Sequence, residues 1–527
     1  MEEKREVKKF NHKVTAAMMS AILMASTLVG CGQTADNASA SVEVTNETYA
    51  AATNNGVQTV SQKAPKYIFL FIGDGMSYPQ IQSASYYLGA KASQGGDVTG
   101  GEQLSFMNFP TVGSAQTFDS TSFCPDSAST ATSISTGHKT YSGVINMDTT
   151  KTVKYTTISE QLKAQLGYKI GVLTTVNLNH ATPAAFYAHQ SSRKNYYEIG
   201  QELIASNFDY FAGGGFLSPT GKNKDLESLY DVAKENGYTV TTTQSEIEAV
   251  NKSTGKVIAV DENLADGDAM NYDMDLTDNK WELADYVQKG IEVLNNDKGF
   301  FMMVEGGKID WACHANDAAA SINDTIALDR AVQVAYKFYE QHPADTLILV
   351  TGDHETGGLT IGYAGTNYDT YLKNLENQTL SYAKFDTEYV ASYKENNTPF
   401  SQVLVDIKNN FGLVTADDAD AAADSTLVLT DYEVQKLKTA YERTLKVGAS
   451  SQDKMTQEEY DLYGTYEPLS VTITHILNNK SGIAFSSYSH TGLPVPVFAV
   501  GNGSTLFDGY YDNTDIYNKL AALTKVK

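Results

Sequence analysis

Five short runs along the chain are apolar without interruption: Tyr67 to Ile72, Ile170 to Thr174, Phe300 to Val304, Thr346 to Val350 and Val495 to Val500. None alternates with polar residues as a strand with one wet face would, so each is expected to be a strand covered on both faces. Thr157 to Leu166, Asn195 to Ala205, Glu282 to Asn295 and Ala318 to Glu340 lie between the runs and read as helices. This alternation predicts an α/β domain built on a mainly parallel sheet.

The residues that follow each run are polar in a regular way. Asp74 follows the first, Asn177 and His180 the second, Glu305 the third, and Asp353 with His354 the fourth. Ligands bind beyond the carboxyl ends of the strands in an open α/β sheet. These residues, distant in sequence, are therefore expected to meet at one sheet edge. His490 precedes the fifth run, read as the last strand, and is not covered by this argument.

Between Tyr363 and about Ile483 the texture changes. Tyr, Asn and Asp dominate, one helix is expected around Thr430 to Arg443, and the run ADDADAAADS lacks the spacing and Gly of a calcium loop and reads as solvated surface. Strand-like sequence resumes at Val495, so residues 364–483 are expected to be an insertion in a catalytic domain made of 65–363 and 484–527. At the N-terminus, Lys4, Arg5, Lys8, Lys9 and Lys13 precede the apolar stretch Val14 to Val29. This is a targeting segment, 1–31, ending in Leu28-Val29-Gly30-Cys31, which resembles a bacterial lipobox. An ordinary secretory signal with a chance Cys is the alternative. The expected localisation is extracytoplasmic, lipid-anchored through Cys31 to a bacterial membrane, with the polar stretch 32–64 as a flexible tether.

Composition adds two constraints. The 527 residues are 42% hydrophobic and 19% charged, which are globular values, and the net charge is −24. That charge excludes a nucleic-acid partner and requires a local positive centre for any anionic substrate. Of three cysteines, Cys31 is assigned to the anchor. Cys124 and Cys313 are expected as two separate buried thiols, although an exported protein permits a disulfide.

Six segments carry candidate chemistry. In VEGGKIDWACH, Asp310 and His314 share a helix face and form a zinc-type pair; alone, they are equally a capping Asp and a surface His. In LVTGDHETGG, Asp353 and His354 sit at a strand end, with Gly352, Gly357 and Gly358 allowing a sharp turn around an ion; alone, this is a polar loop. Asp74 in IFLFIGDGM either bridges two cations or forms a tight turn. In FCPDSASTATSISTGHKT, Ser127 follows Asp126 at a helix start, near free backbone N–H groups that suit a bound anion; capping explains the same residues. In TVNLNHATPAAFYAHQSSRKN, His180 and Thr182 can serve a cation. Arg193, about three turns further along a helix, offers a planar fork for phosphate oxygens or is a surface charge. SSYSHTGLPVPVFAVG contributes His490.

Taken together and in order, these segments resemble the bacterial alkaline phosphatase family: G-D-G-M, D-S-A-S-T-A-T, H-A-T-P-A-A with Arg193 downstream, V-E-G-G-x-I-D with a following His, T-G-D-H-E-T-G-G and S-H-T-G. The resemblance runs from about Pro65 to Gly501 outside the insertion. It implies a three-layer α/β sandwich and hydrolysis of phosphate monoesters through a phosphoserine on Ser127, with Arg193 clamping the phosphate and Asp126 positioning Arg193. It also implies one zinc held by Asp310, His314 and His490, and a second by Asp74, Asp353 and His354. A third site, normally magnesium, would join Asp74, Thr182 and Glu305. His180 and Trp311 stand where relatives often carry Asp and Lys or His. That pairing resembles a variant among other bacterial members and places Trp311 beside the phosphate without an ammonium. The implied partners are small phosphorylated substrates, with a homodimer left open. A sulfatase would need a C/S-x-P-x-R setting that Cys124-Pro125 does not supply, and Ser127 disfavours a Thr-dependent diesterase. A non-catalytic metal-binding or phosphate-binding lipoprotein would suit a chain lacking Ser127, Arg193 or a zinc ligand, and all are present.

Overall fold

A computed structural model of the chain describes residues 63–93 and 100–527. The expected signal segment with Cys31, and the expected tether apart from Lys63 and Ala64, lie outside the described residues. All five apolar runs are strands of one ten-stranded sheet. In chain order the sheet strands are β1 (Tyr67–Gly73), β2 (Thr111–Gln116), β3 (Lys169–Asn177), β4 (Tyr210–Gly214), β5 (Tyr238–Thr241), β6 (Lys256–Val260), β7 (Phe300–Gly306), β8 (Thr346–Gly352), β9 (Val495–Gly501) and β10 (Gly509–Asp512). Their spatial order is β10-β2-β9-β8-β1-β7-β3-β4-β6-β5, and β9 alone runs against its neighbours. The run at Val495 is therefore followed by one more strand, β10, rather than being the last.

Both faces of the sheet are covered. Along β1, Tyr67, Phe69 and Phe71 enter one apolar cluster with the helices Leu283–Leu294 and Ala318–Gln341. Ile68, Leu70 and Ile72 enter the other with the helices Ser127–Thr136, Tyr196–Ala205 and Thr514–Thr524. Each fully buried side chain of this kind contributes about 1.5–3 kcal/mol, which is why the central strands carry no polar alternation. Of the five strands outside the apolar runs, β4 (YFAGG) and β6 (KVIAV) are buried apolar stretches that escaped the sequence reading, whereas β2, β5 and β10 lack this signature. β2 reads TVGSAQ with alternate residues exposed or half-buried, and β10 lies largely in water.

Register places the strand ends side by side. Gly73 of β1 stands opposite Gly306 of β7 and Gly352 of β8, and Thr174 of β3 stands opposite Glu305. At Gly352 a Cβ would lie 1.9 Å from the Met76 carbonyl oxygen, so only glycine allows the chain leaving β1 to cross there.

The expected helices are present, with differences in detail. Thr157 caps a short helix, Ile158–Gln161, which widens into a π-helical turn at Leu162–Leu166. The stretch after His180 is not one helix. Only Ala181–Ala184 is helical, and turns follow up to Arg193. Cys313 is buried and Cys124 exposed, both as free thiols, so the expectation of two buried thiols holds for one of them.

The segment after β8 leaves through Thr360–Ile361 and returns through Ile483–Ala484, which pair antiparallel as a two-residue ladder. Every regular element between these points is helical, including Phe400–Phe411, Asp431–Lys446 and Pro468–Ser481, where one helix was expected. The acidic run is exposed, with Asp418 and Asp420 both paired to Lys408. The buried Asp317 carboxylate holds this segment to the sheet domain. It caps the helix Ala318–Gln341 by accepting from the Ala320 amide, and also accepts from the Tyr382 amide at 2.9 Å and from Gln378 Nε2 at 2.8 and 2.9 Å. Among the described residues, no helix is long and apolar enough to cross a membrane.

Asp317→Ala would leave the Tyr382 N–H and the Gln378 amide buried without an acceptor. It is expected to lower stability by about 3 kcal/mol, measured as a shift in the denaturation midpoint. Asp317→Asn, which keeps one acceptor oxygen, is expected to lose less. Midpoints equal to wild type for Asp317→Ala would show that the carboxylate is not the tie.

Candidate active site

The flush strand ends deliver four carboxylates to one place. Asp74 leaves β1 in a turn completed by Gly75 at φ +70, whose N–H donates to Asp353 Oδ1 at 3.1 Å. Asp353 and His354 leave β8, and the His354 amide donates to the same Asp353 oxygen at 2.9 Å. Glu305 is the penultimate residue of β7 and accepts from Thr174 of β3. The helix Lys308–His314 starts directly after β7 and places Asp310 and His314 one turn apart, with Asp310 Oδ2 3.4 Å from His314 Nε2.

His490 arrives by a different route. Because β9 is antiparallel to β8, its entry lies at the edge where β8 exits. His490–Thr491 pairs with Glu355–Thr356 as a second two-residue ladder, which sets the imidazole beside His354. Their rings stack with centroids 3.6 Å apart. The strand-end argument thus does extend to His490 once β9 is known to be reversed.

Three ligand groups result: Asp310, His314 and His490; Asp74, Asp353 and His354; and Asp74, His180 and Glu305. In each, the ligand atoms lie within 4.8 Å of one another. Thr182 Oγ1 donates to Asp74 Oδ2 at 3.2 Å, beside the third group. The hydrogen bonds show what the first group lacks. His314 Nδ1 is 2.6 Å from the Tyr488 carbonyl oxygen, and His490 Nδ1 is 2.6 Å from that of Pro125. A carbonyl only accepts, so both Nδ1 atoms carry hydrogen. The two Nε2 atoms, 3.1 Å apart, then present lone pairs to one another when the rings are neutral. A cation or an extra proton is needed between them. In the third group, Asp74 Oδ1, His180 Nδ1 and Glu305 Oε1 are all buried without a hydrogen-bond partner.

The electrostatics agree. Burial, then the charges of Asp353, Asp310 and Glu305, push the Asp74 carboxyl well above its usual range. Burial likewise raises Glu305 to about 8 and Asp353 to about 7, with neighbouring carboxylates adding to each shift. Burial followed by the Arg193 charge lowers His180 to about 3, so its ring is neutral. Asp310 goes the other way: burial opposes its ionisation, but the His314 and His490 imidazoles hold it well below the carboxylate range. Uncompensated, such a set of buried anions costs several kcal/mol per charge. Divalent cations bound by carboxylate and imidazole fit it.

Ser127 opens the helix Ser127–Thr136, and its Oγ lies 3.2 Å from His354 Nε2. Asp126 caps that helix through Oδ1, which accepts from the amides of Ser129 at 3.1 Å and Gly143 at 2.9 Å. Its Oδ2 accepts from Arg193 Nη1 at 2.9 Å. One carboxylate therefore orients the serine helix and the guanidinium together. Arg193 is reached not along a helix but through the Ile145–Gln190 bridge and its own amide, which donates to the Gly143 carbonyl at 2.7 Å.

These groups open into a cavity of about 360 Å³ lined by Ser127, His180, Arg193, Asp310, His314 and His490, together with Trp311, Tyr382 and Tyr466. The two tyrosines come from the 364–483 segment and escaped the sequence reading, since nothing in a Tyr-rich stretch marks which rings face a site. Trp311 packs edge-on to His180, with ring centroids 6.0 Å apart. A lysine lies near it, though not among the residues lining the cavity. Lys308 is fully buried, with Nζ 4.7 Å from the Trp311 ring centroid, 3.8 Å from that of Tyr272 and 2.6 Å from Asp266 Oδ1. A lysine set between Gly307 and Ile309 in VEGGKID, directly after a buried strand, was the available signal.

Comparison with known proteins agrees with this geometry. A family model described as alkaline phosphatase matches residues 65–526. Alkaline phosphatase 4 of Bacillus subtilis is 30% identical over 468 residues, covering 87% of this chain and 88% of its own. The cold-active alkaline phosphatase of a psychrophilic Shewanella has a TM-score of 0.69 at 29% identity, over 87% of this chain and 99% of that one. A His-to-Glu variant of the TAB5 alkaline phosphatase, solved with Mg bound in a site designated M3, has a TM-score of 0.59 at 27% identity, over 88% and 99%. With its sheet edge and matched length in agreement, the chain belongs to the alkaline phosphatase family and is a phosphomonoester hydrolase.

Proposed function

We propose that the protein hydrolyses phosphate monoesters through a phosphoserine on Ser127, using two zinc ions and one magnesium. The observation that carries this reading is the placement of Ser127 Oγ, at a helix N-terminus, in one cavity with Arg193 and against the ligand groups. Asp310, His314 and His490 would hold one zinc. Asp74, Asp353 and His354 would hold the other, and Asp74, Thr182, Glu305 and His180 the magnesium. Bound there, the cations supply Lewis acidity and offset the charge of the buried carboxylates.

The chain's own groups do the remainder. Arg193, held by Asp126, presents its remaining donors to two phosphoryl oxygens. The Ser127–Thr136 helix directs its free N–H groups and positive dipole end toward the same anion. Ser127 Oγ attacks phosphorus, the ester P–O bond breaks, and the alcohol leaves with a proton. Water then attacks the phosphoserine, the Oγ–P bond breaks, and inorganic phosphate departs with Ser127 regenerated. The neutral His180 lies 3.4 Å from Arg193 Nη2 and Trp311 packs on His180, so Arg193 is the one Arg or Lys among the residues lining this cavity.

Export and lipid anchoring at Cys31 are proposed from the basic start, the apolar stretch and the lipobox-like Leu28-Val29-Gly30-Cys31.

Ser127→Ala is expected to cut kcat on an aryl phosphate by about a thousandfold or more while bound zinc stays at the wild-type level; near-wild-type turnover would remove Ser127 as nucleophile. Chelation should abolish activity and added zinc restore it, and active protein with no divalent ion by metal analysis would overturn the metal assignment. His180→Asp, which puts a hard oxygen ligand into the third group, is expected to tighten magnesium binding measured by titration; unchanged affinity would exclude His180 from that site. Cys31→Ser should shift the protein from the membrane fraction to the soluble exported fraction and abolish acyl labelling, and retention on the membrane would defeat the anchor assignment.

A further inference from the structure

Ser127, Arg193 and the ligand groups fix where the phosphoryl group sits, so the leaving alcohol occupies what is left of the same cavity. That remainder is aromatic: Trp311, Tyr382 and Tyr466. These rings form one cluster with Tyr272, which packs against Tyr382 at 5.9 Å and 64°. Tyr382 in turn meets Tyr466 at 5.8 Å and 85°. The cluster is pinned from behind. Tyr272 Oη donates to Tyr382 Oη at 3.2 Å, the Tyr382 amide is held by Asp317, and Ser381 before it donates twice to Asp275, from its amide at 2.9 Å and its hydroxyl at 2.6 Å. Trp311 lies against the buried Lys308 ammonium. Rings held this firmly lose little freedom when a ligand docks on them, and aromatic faces attract flat π-systems beyond simple burial.

We propose that Trp311, Tyr382 and Tyr466 form a leaving-group subsite that takes an aromatic ring. Phosphomonoesters whose alcohol carries such a ring, whether a nucleobase or a simple aryl group, are then preferred over aliphatic ones. This rests on the phosphomonoesterase reading of the site and gives its substrate class. The cavity, about 360 Å³, falls in the range of small-molecule sites. The 364–483 segment gains a role through it, because that segment supplies two of the three rings.

The test compares kcat/KM for pairs that share the same alkyl ester bond: adenosine 5′-monophosphate against ribose 5-phosphate, and benzyl phosphate against cyclohexylmethyl phosphate. Wild-type enzyme is expected to favour the aromatic member of at least one pair about tenfold, and the pair that responds tells a nucleobase site from a general aryl site. Tyr466→Leu should reduce that ratio several-fold and Tyr466→Phe should keep it, with zinc content and circular dichroism checking that each variant is folded. Wild-type ratios near one in both pairs would overturn the subsite whether or not the variants fold. A ratio unchanged in folded Tyr466→Leu, or lost equally in Tyr466→Phe, would overturn it as well. No hydrolysis of any of the four esters by zinc-loaded enzyme would instead defeat the underlying phosphatase reading.

Discussion

Asp74, Asp310, Asp353 and Glu305 are four carboxylates kept out of water at one end of one sheet, and their mutual repulsion is the constraint around which the molecule is arranged. Nothing in the apolar layers favours such a cluster. It persists because flush strand registers, a glycine crossing at Gly352 and a helix started directly after β7 leave these side chains no other direction. The same constraint explains the histidines. Each of His314 and His490 commits its Nδ1 hydrogen to a backbone carbonyl, which leaves Nε2 facing the other ring with a lone pair available to a cation. Such a cluster is relieved by protons, as the raised pKa values of Asp74, Glu305 and Asp353 show, or by bound cations.

Asp126 shows how the reactive half is tied to that edge. Its two oxygens divide the work, one fixing the helix that begins with Ser127 and the other fixing Arg193. The serine hydroxyl and the guanidinium are thereby set by one rigid group rather than by two independent loops. The chain's net charge of −24 makes this local arrangement necessary, since the surface as a whole repels the anion that the site must receive.

Much of this was legible in residue order. Unbroken apolar runs marked the central strands because burial on both faces leaves no polar alternation, and the residues after them marked the site because parallel strands end together. Legibility failed where tertiary context decides. β2 and β10 carry no apolar run, the reversal of β9 that brings in His490 has no local signal, and Arg193 is positioned by a bridge rather than by a helix. Tyr382 and Tyr466 were hidden for a related reason. In a segment rich in tyrosine, only tertiary contacts single out the rings that reach the cavity: Asp317 and Tyr272 fix Tyr382, and Tyr466 packs on Tyr382.

The ladder of Thr360–Ile361 with Ile483–Ala484 brings the two ends of the helical segment within one hydrogen-bonded pair of each other. A segment that departs and returns through adjacent points can vary in length between its helices with its ends fixed, provided the Asp317 tie and its share of the apolar cluster are kept. The three candidate ligand groups stand at the sheet edge and Ser127 opens the helix beside them, while two of the three aromatic residues lining the cavity belong to the helical segment. Change within that segment would therefore reach the aromatic lining of the cavity without altering the residues at the strand ends.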